Sequence, residues 1–288
     1  MNIFVRINLG KVWNSGPTMV IIVGMKLHCP KCSSGKYWIL RDGRFRCCQC
    51  RKTFSDPRKR IRINPSTVRK VIQEFLLEHS TNIILSRVSI SRYMLLKTLT
   101  LVRMVMVQDV PAVFEGTVEV DETYLGGQWK NKRHAVKRRH GQAKRGRGTT
   151  KQPVFGILCR SGKVWAELIN GVEAKQLQPK ILKQVKQGSI ICSDTWRGYT
   201  GIAAKGYVHR LVNHGKGQYA DAKGNHINGL EGFWGYLKRK LSAKGGIRKK
   251  HLPLYLGEYV WRYNHRTMDF KEQETYLIKT TYHYIRSE

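Results

Sequence analysis

The chain has 288 residues, with 53 Lys+Arg against 19 Asp+Glu, and its formal charge of +34 at pH 7 excludes a neutral housekeeping globule and points to a polyanionic partner. Apolar residues at 41% and aromatics at 10% can fill one good-sized core, which excludes a disordered basic tail, and the length suggests about two domains. No stretch approaches the roughly 20 apolar residues of a membrane span, and residues 1–24 lack the order of a secretion signal, so no membrane partner is expected and the cytosol is the expected compartment.

The composition breaks at Met25, and residues 1–24 read as upstream read-through or as an N-terminal strand without a place; no function is assigned to them. Residues 25–56 hold five of the seven cysteines. Cys29-Pro-Lys-Cys32 and Cys47-Cys-Gln-Cys50 each have two intervening residues, and 14 residues separate the pairs, which is the spacing of two knuckles closing on one tetrahedral Zn²⁺. Strands around residues 37–40 and 44–46 would bring the knuckles together as a zinc ribbon, with Cys48 a spare thiol. Between Cys29 and Lys52, seven Lys and Arg against Asp42 alone suit phosphate contact or a solvated face.

Residues 57–112 form a helical segment. After the basic linker at 56–60, a helix is predicted from about Ser66 to Glu78, capped by Ser66 or Thr67, with Val68, Val71, Ile72, Phe75 and Leu76 on its apolar face. More helix is predicted from Ile83 to Val107, starting after Ser89 or Ser91 in its second part. With the polar turn His79-Ser80-Thr81-Asn82, the segment reads either as a helix-turn-helix DNA-binding unit or as helices that merely connect its neighbours.

From residue 113 to 288 the pattern is mixed α/β. Val118 and Val120 alternate with Thr117, Glu119 and Asp121, which predicts a strand. Further strands are predicted at 154–160, 163–169, 189–193 and 207–212, and helices at about 173–187 and 226–241. Three acids, Asp121, Asp194 and Glu231, would meet at one edge of such a sheet, and Lys238, seven residues beyond Glu231, shares its helix face. Three clustered carboxylates repel one another, and a pair of hard cations, Mg²⁺ or Mn²⁺, resolves the repulsion while activating the attacking oxygen and stabilising the leaving one at a phosphodiester. Glu119 shares the face of Asp121 and either assists the site or forms a salt bridge; Glu122 points to the other face. The insertion at 128–152 holds ten Lys+Arg and no acid, and is predicted to be a self-repelling loop that engages phosphates through Lys137, Arg138, Arg139, Lys144 and Arg145. The aromatic residues Tyr255, Tyr259, Trp261, Tyr263 and Phe270 read as core.

Three blocks carry a resemblance: Val118-Glu-Val-Asp121-Glu-Thr-Tyr-Leu-Gly-Gly127, Ser193-Asp194-Thr-Trp196-Arg-Gly-Tyr199 and His226-Ile-Asn228-Gly-Leu-Glu231-Gly-Phe-Trp234-Gly-Tyr-Leu-Lys238-Arg. With Arg262-Tyr263-Asn264-His265-Arg266, they resemble bacterial insertion-sequence DDE transposases that carry an N-terminal zinc ribbon, over about residues 25–270. The resemblance implies an RNase H-like catalytic domain whose mixed sheet is flanked by helices. It also implies Mg²⁺-dependent cleavage at the element's terminal inverted repeats, joining of the freed 3′-hydroxyls to target DNA, assembly as a homo-oligomer on double-stranded DNA, and a place at the bacterial nucleoid. Members differ in whether Glu, Asn or His completes the triad. Glu231 is preferred because an anionic oxygen binds Mg²⁺ better than an amide does, and Asn228 and His226 are the alternatives. Two competing functions stand beside the transposase: a non-catalytic zinc-ribbon DNA-binding regulator, including a decayed transposase copy, and a nuclease that cuts without joining.

Overall fold

The computed structural model describes residues 27–55, 64–111, 113–127, 129, 134–140, 149, 151–212 and 227–286, and the chain divides into two compact units near residue 62. In the first, strands β1 (Tyr37–Ile39), β2 (Phe45–Cys47) and β3 (Thr53–Phe54) form an antiparallel sheet in the order β1-β2-β3. The first two strands are the predicted pair; the third follows from a chain that must turn back after the second knuckle. Tyr37, Phe45 and Phe54 pack edge-on and tilted, with ring centroids 5.0 to 6.1 Å apart. This cluster is the apolar content of a unit too small for a larger core.

The two knuckles are built alike. Ser33 N–H donates to Cys29 O and Arg51 N–H to Cys47 O, at 2.8 and 3.1 Å. Cys29 N–H reaches Ser34 O and Cys47 N–H reaches Lys52 O, at 2.9 and 3.0 Å. Ser33 and Arg51, each directly after the second cysteine of its pair, take left-handed φ values of 59° and 60°. Non-glycine residues adopt that region at a cost of order 1–3 kcal/mol each, so the turn geometry is held by something outside it.

The second unit opens with α1 (Pro65–Leu76), α2 (Thr81–Arg87) and α3 (Arg92–Gln108). The cap of α1 is Asn64, whose side chain accepts from Ser66 N–H, because Pro65 takes the first helical position where its missing N–H costs nothing. Ser80 and Ser91 cap α2 and α3, so the predicted polar turn is itself the start of a helix. All five predicted apolar residues of α1 are buried.

The mixed sheet follows: β4 (Thr117–Leu125), β5 (Gln152–Cys159), β6 (Val164–Leu168), β7 (Ile190–Ser193) and β8 (Val208–Leu211), in the order β6-β5-β4-β7-β8. β5 pairs antiparallel to β4 and β6, while β7 pairs parallel to β4 and β8. A seven-residue helix, α4 (His134–His140), lies between β4 and β5. The insertion is therefore not loop throughout: His134 to His140 contains neither Gly nor Pro, and Gly141 follows it. α5 (Ala174–Gln184) crosses over to β7, burying Leu177 and Ile181 and leaving Leu182 exposed. α6 (Asn228–Ser242), α7 (Leu252–Asn264) and α8 (Phe270–Arg286) complete the unit.

Alternation along β4 sorts the two cores. Val118 and Val120 join Phe155, Ile157, Leu177, Ile181 and Tyr199 on the α5 face, and Leu125 joins Val154, Leu158, Leu230, Phe233 and Trp234 on the α6 face. The 262–266 block is a clamp on this architecture. Arg262 donates to Phe75 O and Leu76 O at the end of α1, and Asn264 exchanges hydrogen bonds with Val164 N and O on the edge strand β6. Arg266 reaches Gly162 O in the hairpin turn. Buried Glu258 takes Arg103 Nε at 2.7 Å and Arg262 Nε at 3.1 Å, which satisfies a charge that would otherwise be costly to bury. Of the late aromatics, Tyr259 and Trp261 are core as expected, whereas Phe270 is exposed.

Candidate active site

β4 presents Asp121 on the same face as Glu119, toward α6. β7 runs parallel beside it, pairing Glu119 with Cys192, and Asp194 follows directly after the last residue of β7, close enough for its charge to act on Asp121. α6 then lays its first turn, with Glu231, over this face. Burial pushes the Asp121 carboxyl up to about 7, and the negative charges of Asp194 and Glu231 push the same way. The three acids singled out in the sequence are thus brought into one electrostatic field. Burial lowers the Lys238 ammonium, as does the charge of Lys151, while the Asp121 charge opposes them, which sets Lys238 at the rim of the same group. Asn228 is the exposed first residue of α6; His226 lies outside the described residues.

Two hydrogen bonds that span the sequence fasten α6 to β4. Ile227, the residue before α6, supplies no side-chain cap, and the cap comes instead from the strand: Leu230 N–H donates to Glu119 Oε2 at 2.9 Å. Glu119 is 1% exposed and has Arg160 Nε at 3.9 Å, so a buried carboxylate meets both a cation and the positive end of a helix. One turn on, Trp234 Nε1–H donates to Asp121 Oδ2 at 3.1 Å, a bond that favours the anion. The indole reaches this far only because β5 carries Gly156, where a Cβ would stand 2.5 Å from Trp234 Cζ2. Neither partner is readable from local patterns, since both join positions more than 100 residues apart; the shared face of Glu119 and Asp121 was the available signal.

Asp194 sits in a small turn, its Oδ1 accepting from Trp196 N–H at 3.0 Å, and Trp196 Nε1–H donates to Val172 O at 2.8 Å. Ser193 Oγ–H donates to Asp194 O, leaving the oxygen to accept from His209 Nε2, each at 2.8 Å. Glu122 points to the opposite face as expected, where Tyr199 Oη–H donates to it at 2.5 Å. Cys192 is a fully buried thiol beside Val212 and Ile227.

A family model described as the ISXO2-like transposase domain matches residues 113–264, just over half of the chain. The chain belongs to this transposase family. The matched span contains Asp121, Asp194, Glu231 and Lys238, and excludes the ribbon and α1 to α3. A Haemophilus influenzae protein (strain ATCC 51907 / DSM 11121 / KW20 / Rd) that bears the name "Uncharacterized transposase-like protein" is 37% identical over 102 residues, which cover 35% of this chain and 81% of that relative. No helix among the described residues is long and apolar enough to cross a membrane.

The second candidate metal centre is the ribbon. The Sγ atoms of Cys29, Cys32, Cys47 and Cys50 all lie within 4.8 Å of one another, with Cys29–Cys50 at 3.4 Å and Cys32–Cys47 at 3.5 Å. Four thiolates at the usual 2.3 Å Zn–S distance stand about 3.8 Å apart, so this set fits a tetrahedral Zn²⁺. The Cys50 backbone amide, aimed at Cys47 Sγ, helps hold that thiol down to about 6. Cys48 is outside the group. The carboxylates are more widely spread: among the described residues, the four cysteines are the group of three or more such ligands drawn this tightly together. The basic insertion contributes Lys137 and exposed Arg138 on α4, and Arg139 lies on the same helix; Lys144 and Arg145 fall outside the described residues.

The raised Asp121 carboxyl has a consequence for stability. A carboxyl whose folded pKa of about 7 exceeds its ordinary 3.8 favours folding fully below pH 4 and loses that contribution as pH rises toward 7. With divalent cations chelated, the second unit is expected to lose stability between about pH 4 and 7, by up to roughly 4 kcal/mol. Asp121→Asn should flatten that slope. Thermal melts across this range check it, and an unaltered slope in the variant would remove Asp121 as its source.

Gly156→Ala should drive the Trp234 ring off Asp121, and Trp234→Phe should remove the N–H alone. Each is expected to lower turnover by about tenfold, the kinetic equivalent of one hydrogen bond to a charged group. DNA affinity should be unchanged, and single-turnover cleavage beside a binding titration measures both.

Proposed function

We propose that the chain is a DDE transposase with an RNase H-like catalytic domain, which cuts DNA at the terminal inverted repeats of an insertion sequence and joins the 3′-hydroxyl ends to target DNA in the bacterial cytoplasm. The observation that carries this reading is Asp121, a carboxyl pushed to about 7 first by burial and then by the negative charges of Asp194 and Glu231. Like charges held together at that cost, all of them hard oxygen donors, fit Mg²⁺ or Mn²⁺. When bound, a pair of such ions supplies activation of the attacking oxygen and charge stabilisation of the leaving one.

The protein's own residues divide the remaining work. Asp121, one of whose oxygens accepts from Trp234, would hold the ions together with Asp194, just past the end of β7, and Glu231 on α6. Lys238, on the Asp121 side, provides a cation for a non-bridging phosphate oxygen. Glu119 keeps the start of α6, and so Glu231, over the sheet. The basic insertion and the ribbon bind phosphates, and oligomerisation on DNA brings two ends together.

The test is strand transfer with labelled duplexes carrying the DNA that flanks the gene. A transposase yields joined products that need Mg²⁺. Cut ends without joining would mark a nuclease, and binding without cutting would mark a regulator.

A further inference from the structure

Helix α3 lies outside the family match and is divided along its length. Its second half is core: Leu101, Val102, Val105 and Met106 are buried, and Arg103 is bound to Glu258 on α7. A Cβ on Gly257 would stand 2.1 Å from Val107, so the backbones of α3 and α7 touch. Its first half is different. Leu95, Thr98 and Leu99 face inward, while Tyr93 is 65% and Leu96 47% exposed, flanked by exposed Arg92 and Thr100. Lys97 Nζ stands 4.6 Å over the Tyr93 ring, and Arg92 donates to Asn82 on α2, where Ile83 is also exposed. The connection from α2 to α3 is Val88 to Ser91, four residues, the length of a helix-turn-helix joint.

We propose that the face formed by Ile83, Arg92, Tyr93, Leu96, Lys97 and Thr100 docks in the major groove of duplex DNA and reads its sequence. Charge selects the occupant: the face carries Arg92 and Lys97 and no Asp or Glu, in a chain of net charge +34. A single helix fits the major groove, where Tyr93 and Leu96 meet thymine methyls and base edges while Arg92 and Lys97 meet phosphates. Because the other half of α3 is fixed to α7, and α7 packs through Leu256, Tyr259 and Val260 on the core containing Phe233, Trp234 and Leu237 of α6, the reading face is rigidly tied to the carboxylates. Naming transposon ends as the target rests on the function proposed above; the docking itself does not.

The experiment enriches a random-sequence duplex pool on the full chain in EDTA, so that no chemistry intervenes, and then titrates the winning duplex and a scrambled one. Arg92→Ala and Lys97→Ala should weaken both about equally and each reduce the salt slope by about one. The double variant Tyr93→Ala with Leu96→Ala should lower the preference for the winning duplex about tenfold and leave scrambled-duplex affinity within about twofold. All four side chains are wholly or partly exposed, and melting curves matching the parent verify folding. Unchanged affinity, slope and preference would overturn the proposal, as would a parent chain that enriches no sequence. A double variant that changes only the oligomeric state would make the face a protein contact. If the parent selects DNA through this face yet never cuts it, the docking surface stands and the proposed function falls.

Discussion

Asp121→Asn, Asp194→Asn and Glu231→Gln are each expected to abolish Mg²⁺-dependent cleavage and strand transfer, by at least about 10³-fold, because even the outer-shell partners of a metal ligand are worth 10–100-fold. DNA affinity should hold, since each change removes one anionic oxygen and leaves every Lys and Arg in place. Asp121 is burdened by burial and by its two acidic neighbours, so its amide variant should be stabilised in the absence of metal. Asn228→Ala and His226→Ala are the companions that decide the third ligand. Near-normal cleavage by Glu231→Gln, with either companion inactive, would move the ligand from Glu231 to that residue.

Cys29→Ser or Cys50→Ser should unfold residues 27–55 and leave the second unit intact. Structural Zn²⁺ provides an apparent 10–16 kcal/mol in small zinc-binding peptides, far more than the three-ring cluster of Tyr37, Phe45 and Phe54 supplies. The strained φ values at Ser33 and Arg51 should relax once the thiolates no longer close on an ion. The second unit keeps both of its cores, one on each face of the sheet. Metal analysis should find one Zn²⁺ per parent chain, backbone NMR should show resonances of the first unit alone collapsing in the variants, and Cys48→Ser should change neither. Chelator-free protein without zinc would refute this account.

What could be read from the sequence was whatever repeats at short range. Two-residue cysteine spacing announced the knuckles, and period-2 alternation at 117–121 announced β4 and which of its residues share a face. The apolar spacing of α1 was enough to name all five of its buried residues. What escaped depends on partners far away. The cap of α6 is Glu119, more than 100 positions upstream, and Trp234 holds Asp121 only where Gly156 on a third element makes room. The block at 262–266 looked like a signature, and its side chains are a clamp, binding the end of α1, the edge of β6 and the turn at Gly162. Even the N-cap of α1 lies two or three residues before Ser66 and Thr67, since Pro65 can start a helix that a search for Ser or Thr begins later.

The most direct measurement is anomalous diffraction from crystals of the full chain soaked in Mn²⁺. This account predicts Mn²⁺ bound between the Asp121 and Asp194 carboxylates with Glu231 in the coordination shell, and loss of that ion in Asp121→Asn. Mn²⁺ found only away from these three residues, or retained unchanged in the variant, would contradict it.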